Sequence, residues 1–348
     1  MIKYIVRRLL LLPIILFVIT LILFFLIYRL PVEQRVMIYI PSFNPHITDE
    51  QFEVLLQRQI ARYGLDRPWP VQYVRWLEEL VAAGGGYSPT WRQSVLEGIQ
   101  QRVPATLELA LAAMFPAVAL AVVLGTTAAR RYARLPDHAV RAASFVGWAF
   151  PPFILALILL DIFYAWLGWF PPGRLSVWAS TLVGSDSFRA YTGMMTVDAV
   201  LNGEWRMFWD AVRHLALPAF VLALTEWALL ARIMRSSLLG VMREEYINTA
   251  RAKGLPEGKV VTRHARRNAI LPVISAGGVA TSTLITGIVV VEVIFGYNGV
   301  GSWAVKSILN IDVPVAVGFA LFSCFVTVFG SLLADVLYAV ADPRVRLF

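Results

Sequence analysis

Six charged side chains stand where chemistry inside a membrane would need them. Glu108, Asp161, Glu226, Arg232, Glu292 and Asp335 lie within or at the edges of long apolar runs. An isolated charge in hydrocarbon is costly, so such groups mark pathways, partners or buried pairs. A proton relay is the sharpest chemistry they could carry. Glu108, Arg232, Glu292 and Asp335 are each near enough to the end of a run to reach polar surroundings, which argues against a relay. Glu226 is the most central. Arg232 lies six residues further on, a poor helical spacing for an ion pair. A link from Glu226 to another helix or to a partner chain is the more natural reading. Asp161, Glu226 and Glu292 are therefore candidates for a translocation path or an intersubunit contact.

Other chemistry is thinly represented. A phosphate-binding loop needs Gly, four residues, Gly, Lys and then Ser or Thr. The stretch GLPEGKV at 254–260 has three intervening residues and ends in Val260. It is a chance near-match, and it is not expected to follow a strand. The single Cys324 sits in an apolar run and reads as a buried thiol, so no disulfide framework is possible. No catalytic group, metal site or cofactor is expected on this chain.

The elements that must hold these residues are apolar. Of 348 residues, 58% are hydrophobic and 16% charged, which excludes an ordinary soluble domain. Uncharged runs at 9–28, 109–129, 142–160, 269–291 and 313–334 are long enough to span a bilayer. A sixth, 215–231, is interrupted by Glu226 and reaches spanning length with His214 and residues 232–234. The first run is read as a retained helix, because no small-residue cleavage site follows it. The chain is thus expected to be an all-α polytopic membrane protein with six transmembrane helices. The net charge of +8 is concentrated in particular loops and reports orientation. Segments 1–8, 130–141, 235–271 and 339–348 hold 17 Lys or Arg, against 11 in the longer opposite segments. Both termini are therefore expected in the cytoplasm.

Three divisions follow: an N-terminal helix at 1–30, an extracytoplasmic domain at 31–103 and a five-helix core at 104–348. In the small external domain, Thr48 caps a helix over 49–63, with Gln51 three residues on. Trp69, Tyr73, Trp76 and Leu80 then recur at helical spacing until Gly84, Gly85 and Gly86 end the helix. These aromatics pack a small domain, touch headgroups or meet a partner. The external loop 168–212 is irregular, with a short helix near 196–201.

Residues 235–271 carry eight Arg or Lys against three Glu. From Leu238 the chain reads as an amphipathic helix with Met242, Tyr246 and Ala250 on one face. Gly254 and Pro256 end it, and a second basic helix over about 259–269 leads to the fifth span. Residue types alone leave two readings: a docking platform, or an interfacial helix following lipid headgroups. Pro151 and Pro152 fall mid-way through the third span, and Pro116 and Pro218 in the second and fourth. They serve as hinges or as fixed kinks. Gly277, Gly278, Thr281, Ser282, Thr283 and Gly287 give the fifth span a small-residue surface, for close packing or a polar lining.

The run EEYINTARAKGL, followed by NAILP, resembles the membrane-subunit signature of binding-protein-dependent, ATP-driven importers. The likeness is strongest to permease subunits of the dipeptide and oligopeptide (peptide, opine and nickel) type. Their Tyr-Ile-x-Thr-Ala-Arg-Ala-Lys-Gly run is matched at 246–254, and Arg-Asn-Ala-x-Leu-Pro at 267–272. KYIVRRLL at the start, YGLDRPWPVQY at 63–73, RVPATLELA at 102–110 and YAVADPRVR at 338–346 extend it along the chain. Departures cluster on the outer face. LPVE stands at 30–33 where the family often has Pro-Gly-Asp-Pro, and Tyr297 to Gly301 replace a Pro-Gly-Leu-Gly element. Near the last helix, Ile311, Asp312, Val313 and Pro314 reduce a common Arg-Asp-Tyr-Pro.

The resemblance implies a type I importer permease fold and a passive subunit that forms half of a translocation path. It implies a coupling helix in 235–271, with Glu245, Tyr246, Ala250 and Gly254 carrying the contact to an ATPase. Arg251 and Lys253 would pair with acids there, while Arg263 and Arg266 serve orientation. It also implies a second permease, two ATPase subunits that hold ATP and Mg, and an extracytoplasmic binding protein. Peptide is the expected cargo, with oligosaccharide as the alternative. A channel working alone would need a central polar relay. A scaffold for a cytoplasmic enzyme would not need kinked helices.

Overall fold

The computed structural model describes residues 2–39 and 48–341; the side chains of 2–9, 37, 49, 279–286, 337, 338, 340 and 341 lie outside that description. The described chain is mostly helical. Helix α1 (Ile2–Tyr28) stops just before Arg29 and Pro31. The short α2 (Val32–Met37) follows. Helix α3 (Asp49–Tyr63) starts where its sequence signal lies. The Gln51 amide donates to Thr48 Oγ1 at 3.4 Å and the Thr48 amide to Gln51 Oε1 at 3.3 Å, closing a capping box. Gly64, at φ +63°, ends it. Helix α4 (Trp69–Ala82) leads to a two-residue hairpin of β1 (Tyr87–Ser88) and β2 (Gln93–Ser94).

The remaining elements in order are α5 (Val95–Arg130), α6 (Leu135–Ala149), α7 (Pro152–Leu160), α8 (Val177–Val183), α9 (Met195–Leu201), α10 (Trp205–Val241), α11 (Glu245–Ala252), α12 (Glu257–Lys259), α13 (Arg266–Ala269), α14 (Leu271–Ile294), α15 (Val300–Leu309) and α16 (Val313–Ala341). Single π-helical turns follow α7 (Asp161–Trp166) and α12 (Val260–Ala265). Among the described residues, α1, α5, α10 and α16 are long and apolar enough to cross a membrane. Helix α14 spans 24 residues, but its central side chains, including the expected path candidates Thr281 and Thr283, lie outside the described residues. The C-terminal motif beyond 341 does so too.

The third expected span is not one kinked helix. Helix α6 and the α7 segment meet at 98°. A residue before proline is pushed out of the α region. Phe150 is accordingly extended, at φ −96° and ψ 128°, and ends α6. Pro151 then caps α7 and Pro152 occupies its first turn, where a missing N–H costs nothing. The two prolines separate helices. Pro104, Pro116 and Pro218 instead sit inside continuous helices.

The chain forms two compact units. One comprises Met1–Ile5, Pro104–Gly299 and Thr327–Phe348; the other comprises Val6–Val103 and Val300–Val326. In the first, α10 is the central element and packs on α6, α7, α9, α13 and α14. Ala117, Ala121, Leu230, Ala231 and Met234 belong to one of its buried clusters. Gly125 lets α5 reach α10: a Cβ there would lie 2.8 Å from the Ala231 carbonyl and 2.7 Å from Met234 Cβ. In the second unit, the aromatic repeat of α4 turns out to pack on α1. The Tyr73 and Thr20 hydroxyls share a 2.9 Å hydrogen bond, and Phe24 sits 5.3 Å from the Tyr73 ring and 5.9 Å from Trp76. Trp303, Val95, Val300 and Val315 form another buried group there.

Candidate functional site

The platform of 235–271 begins as the last turns of α10. That helix stops at Val241. Met242 is its cap, and Glu244 is extended at ψ 145° before α11 starts. Met242 therefore does not continue the face of Tyr246 and Ala250, as its spacing suggested. The face that α11 buries is Ile247 and Ala250, at 0% and 6% exposure. Both belong to the same cluster as Leu238, Val261 and Ala265. Ala250 thus meets this chain's own core and is not free for an outside partner. Glu245, Tyr246, Arg251, Lys253 and Gly254 all face outward.

Local contacts stiffen that outward surface. Asn268 Nδ2 donates to the Tyr246 hydroxyl at 2.8 Å, tying α11 to α13. Arg251 Nη2 donates to Glu257 Oε1 at 2.9 Å across the turn. That hydrogen bond holds the Glu257 carboxyl below its ordinary range. The pair's contribution is present above the usual carboxylate pKa and is lost as pH falls through the lowered one. Both groups are substantially exposed, so water screens that contribution to a small one. Gly254, at φ +76°, makes the reversal after α11 with no atom near its missing Cβ. The second basic helix runs from Glu257 to Ala269, through the π turn.

A buried ion pair pins α10 at the first residue of the platform. Arg235 Nε and Nη2 donate to the two oxygens of Asp137 at 2.6 and 2.8 Å. Asp137 is 1% exposed and also accepts from the Ala133 amide at 3.0 Å. Nothing in the sequence singled out this pair, because its partners are 98 residues apart.

A second polar cluster gathers on Glu108, which is 4% exposed. Arg174 Nη2 donates to its Oε2 at 2.7 Å, and the Tyr297 hydroxyl does so at 3.1 Å. Thr196 donates from its amide and its hydroxyl to Oε1, both at 2.7 Å. One carboxylate therefore joins α5, the 168–212 loop and the end of α14. Glu292, at 0% exposure, accepts from the Thr106 hydroxyl at 2.6 Å. A Cβ on Gly299 would fall 1.9 Å from Glu292 Oε1, so the chain passes directly over this buried carboxylate. Glu292 is thus a structural anchor within its own unit. We expect Glu108→Gln to lower stability by about 2 kcal/mol, the scale of a lost charged hydrogen bond. Thermal unfolding of the purified chain, with trypsin cleavage after Arg174 as a second readout, tests this. An unchanged midpoint and cleavage rate would remove the cluster's structural role.

The other charges stay apart. Asp161 opens the π turn after α7 and is exposed. Glu226 is half-buried on α10, and neither residue has a hydrogen-bond partner among the described residues. Glu226 does not pair with Arg232, whose guanidinium lies 5.2 Å from the Trp148 ring centre. No cluster of three metal-ligating side chains occurs among the described residues.

Comparison with known proteins places the chain in a family. The family model for the binding-protein-dependent transport system inner membrane component matches residues 121–347. The model for the N-terminal part of such membrane components matches residues 1–110. The di/tripeptide transport system permease protein DppB of Pseudomonas aeruginosa is 38% identical over 348 residues, covering 99% of each chain. The oligopeptide transport system permease protein AppB of Bacillus subtilis is 37% identical, over 99% of this chain and 100% of its own. The dipeptide transport system permease protein DppB of Escherichia coli K12 is 34% identical, over 99% of both. Members of this family are multi-pass inner-membrane permease components and not enzymes. They work with ATPase subunits and a substrate-binding protein. With two family models and full-length relatives in register, this chain belongs to the binding-protein-dependent transport system inner membrane components.

Proposed function

We propose that this chain is one permease subunit of an ATP-driven importer of di- or oligopeptides. The observation that carries the coupling part is the two-sided α11. Ile247 and Ala250 anchor it in the core, while Glu245, Tyr246, Arg251, Lys253 and Gly254 face out. A short helix fixed in this way can pass a push from a closing ATPase into α10 and α14, whose ends it joins. Arg251 and Lys253 would meet acids on that ATPase. The cargo class follows the names of full-length relatives.

In this reading the protein crosses the membrane six times, through α1, α5, the bent α6–α7 pair, α10, α14 and α16. Both termini are cytoplasmic, residues 31–103 form an extracytoplasmic domain, and 104–348 form the transporter core. A second, homologous permease completes the path, with Asp161 and Glu226 free to contact it. Two ATPase subunits dock on the permeases and hold ATP and Mg, neither of which is bound by this chain. Reconstitution with both ATPases, the second permease and the binding protein tests this. Peptide uptake should require ATP hydrolysis and every component. Uptake by the permeases without ATPase would overturn the reading.

A further inference from the structure

We propose that the hollow between the first half of α6 and the last turns of α10 holds an anionic phospholipid. Its phosphate would lie between Arg141 and Arg232, and its acyl chains along Phe145 and Trp148. The inference rests on placing residues 130–141 at the inner membrane surface, but it goes beyond transport.

The hollow measures about 860 Å³ and is open to one side. Its three arginines are not equivalent. The charge of Arg235 is already matched by Asp137. Arg141 and Arg232 make no hydrogen bond or salt bridge among the described residues. Arg232 stacks over Trp148 at 5.2 Å, which orients its guanidinium without neutralising it. His138 adds a further donor at the rim. Asp137 pairs with Arg235 and also acts electrostatically on Arg141, so one carboxylate stands against three arginines; the site carries excess positive charge that an anion would offset.

The apolar half decides which anion. Arg141, Phe145 and Trp148 fall at i, i+4 and i+7, on one face of α6. Along that face Arg141 and the two rings are spread over about 10 Å of helix, and the Arg232 guanidinium reaches over the Trp148 ring from α10. Phe145 is 74% exposed and Trp148 64%. Free phosphate would use only the arginines. An acidic protein surface would leave both rings in contact with nothing matched to them. A phospholipid carries one phosphate and two apolar chains on that same length scale. Basic pockets between helices at the cytoplasmic side are suited to acidic headgroups.

The test uses the full chain in phosphatidylcholine nanodiscs, with and without phosphatidylglycerol. Native mass spectrometry after gentle release should show phosphatidylglycerol retained in preference to phosphatidylcholine. The Arg141→Gln/Arg232→Gln double variant should lose that preference by on the order of tenfold, given what each basic residue contributes at an anionic surface. Arg141→Lys/Arg232→Lys should keep it, since a lipid phosphate accepts a point charge, and this variant controls for folding. Added inorganic phosphate should not displace the lipid; displacement would overturn the acyl-chain half of the site. Equal retention of both lipids by the parent chain overturns the proposal outright. It is also overturned if the double variant leaves lipid retention unchanged and weakens pairing with the second permease, which would make this face a subunit contact. Failure of ATP-driven uptake with normal lipid retention would count against the importer reading alone.

Discussion

Replacing Ala250 with leucine is expected to abolish ATP-driven uptake while the chain still inserts and still joins its partner permease. Ala250 is 6% exposed and shares a buried cluster with Leu238, Val261 and Ala265. Three added carbons do not fit such a site without moving a wall, at a cost of about 1–3 kcal/mol. Helix α11 has eight residues, too few to hold together by itself. The cheapest relaxation is to lift α11 off α10 and the π turn, which breaks the transmission path without unfolding the bundle. ATPase activity should continue uncoupled. Gly254→Val should act more gently. Its strain is confined to a left-handed residue with open space around it, about 1–2 kcal/mol. Uptake and ATP hydrolysis measured together in proteoliposomes check both. If Ala250→Leu transports at the parental rate, α11 is not the coupling element.

The largest loss of stability is expected from Asp137→Ala. Removing one partner of a buried pair leaves an uncompensated charge, at about 3–5 kcal/mol. Here it also frees the Ala133 amide, at a turn residue with φ +57° that the carboxylate helps to hold. Arg235 keeps part of its solvation, being 18% exposed, so the lower end of that range applies. The double variant Asp137→Ala/Arg235→Ala should recover part of the loss. Chemical and thermal unfolding of the purified chain, read as a double-mutant cycle, measures the coupling. Additive single losses would show that the two side chains act independently.

Much of the helical framework is legible in residue order alone. A long uncharged run can satisfy its backbone in lipid only as a helix. The capping box at Thr48 and Gln51, the helix over 49–63 and the short helix near 196–201 are signals contained within a few residues. The break at Phe150 was half legible. Two adjacent prolines announced a disturbance, but whether they bend one helix or divide two depends on what each arm can pack against. The face of α11 was misread for a similar reason. Its spacing assumed that one helix ran through Met242, and the turn at Arg243 and Glu244 rotated the register.

What residue order determined by itself was composition, the long spans, the bias of basic loops and the family-type run at 246–254. Each depends on near neighbours or on sums along the chain. Only the tertiary structure decided which charges meet. Glu108 finds Arg174, Thr196 and Tyr297 at separations of 66, 88 and 189 residues, and Asp137 finds Arg235 at 98. No local propensity encodes such distances. They are set when a chain with few charges must bury some of them, and each carboxylate settles where folding brings it donors. Glu226 and Asp161 have no hydrogen-bond partner among the described residues.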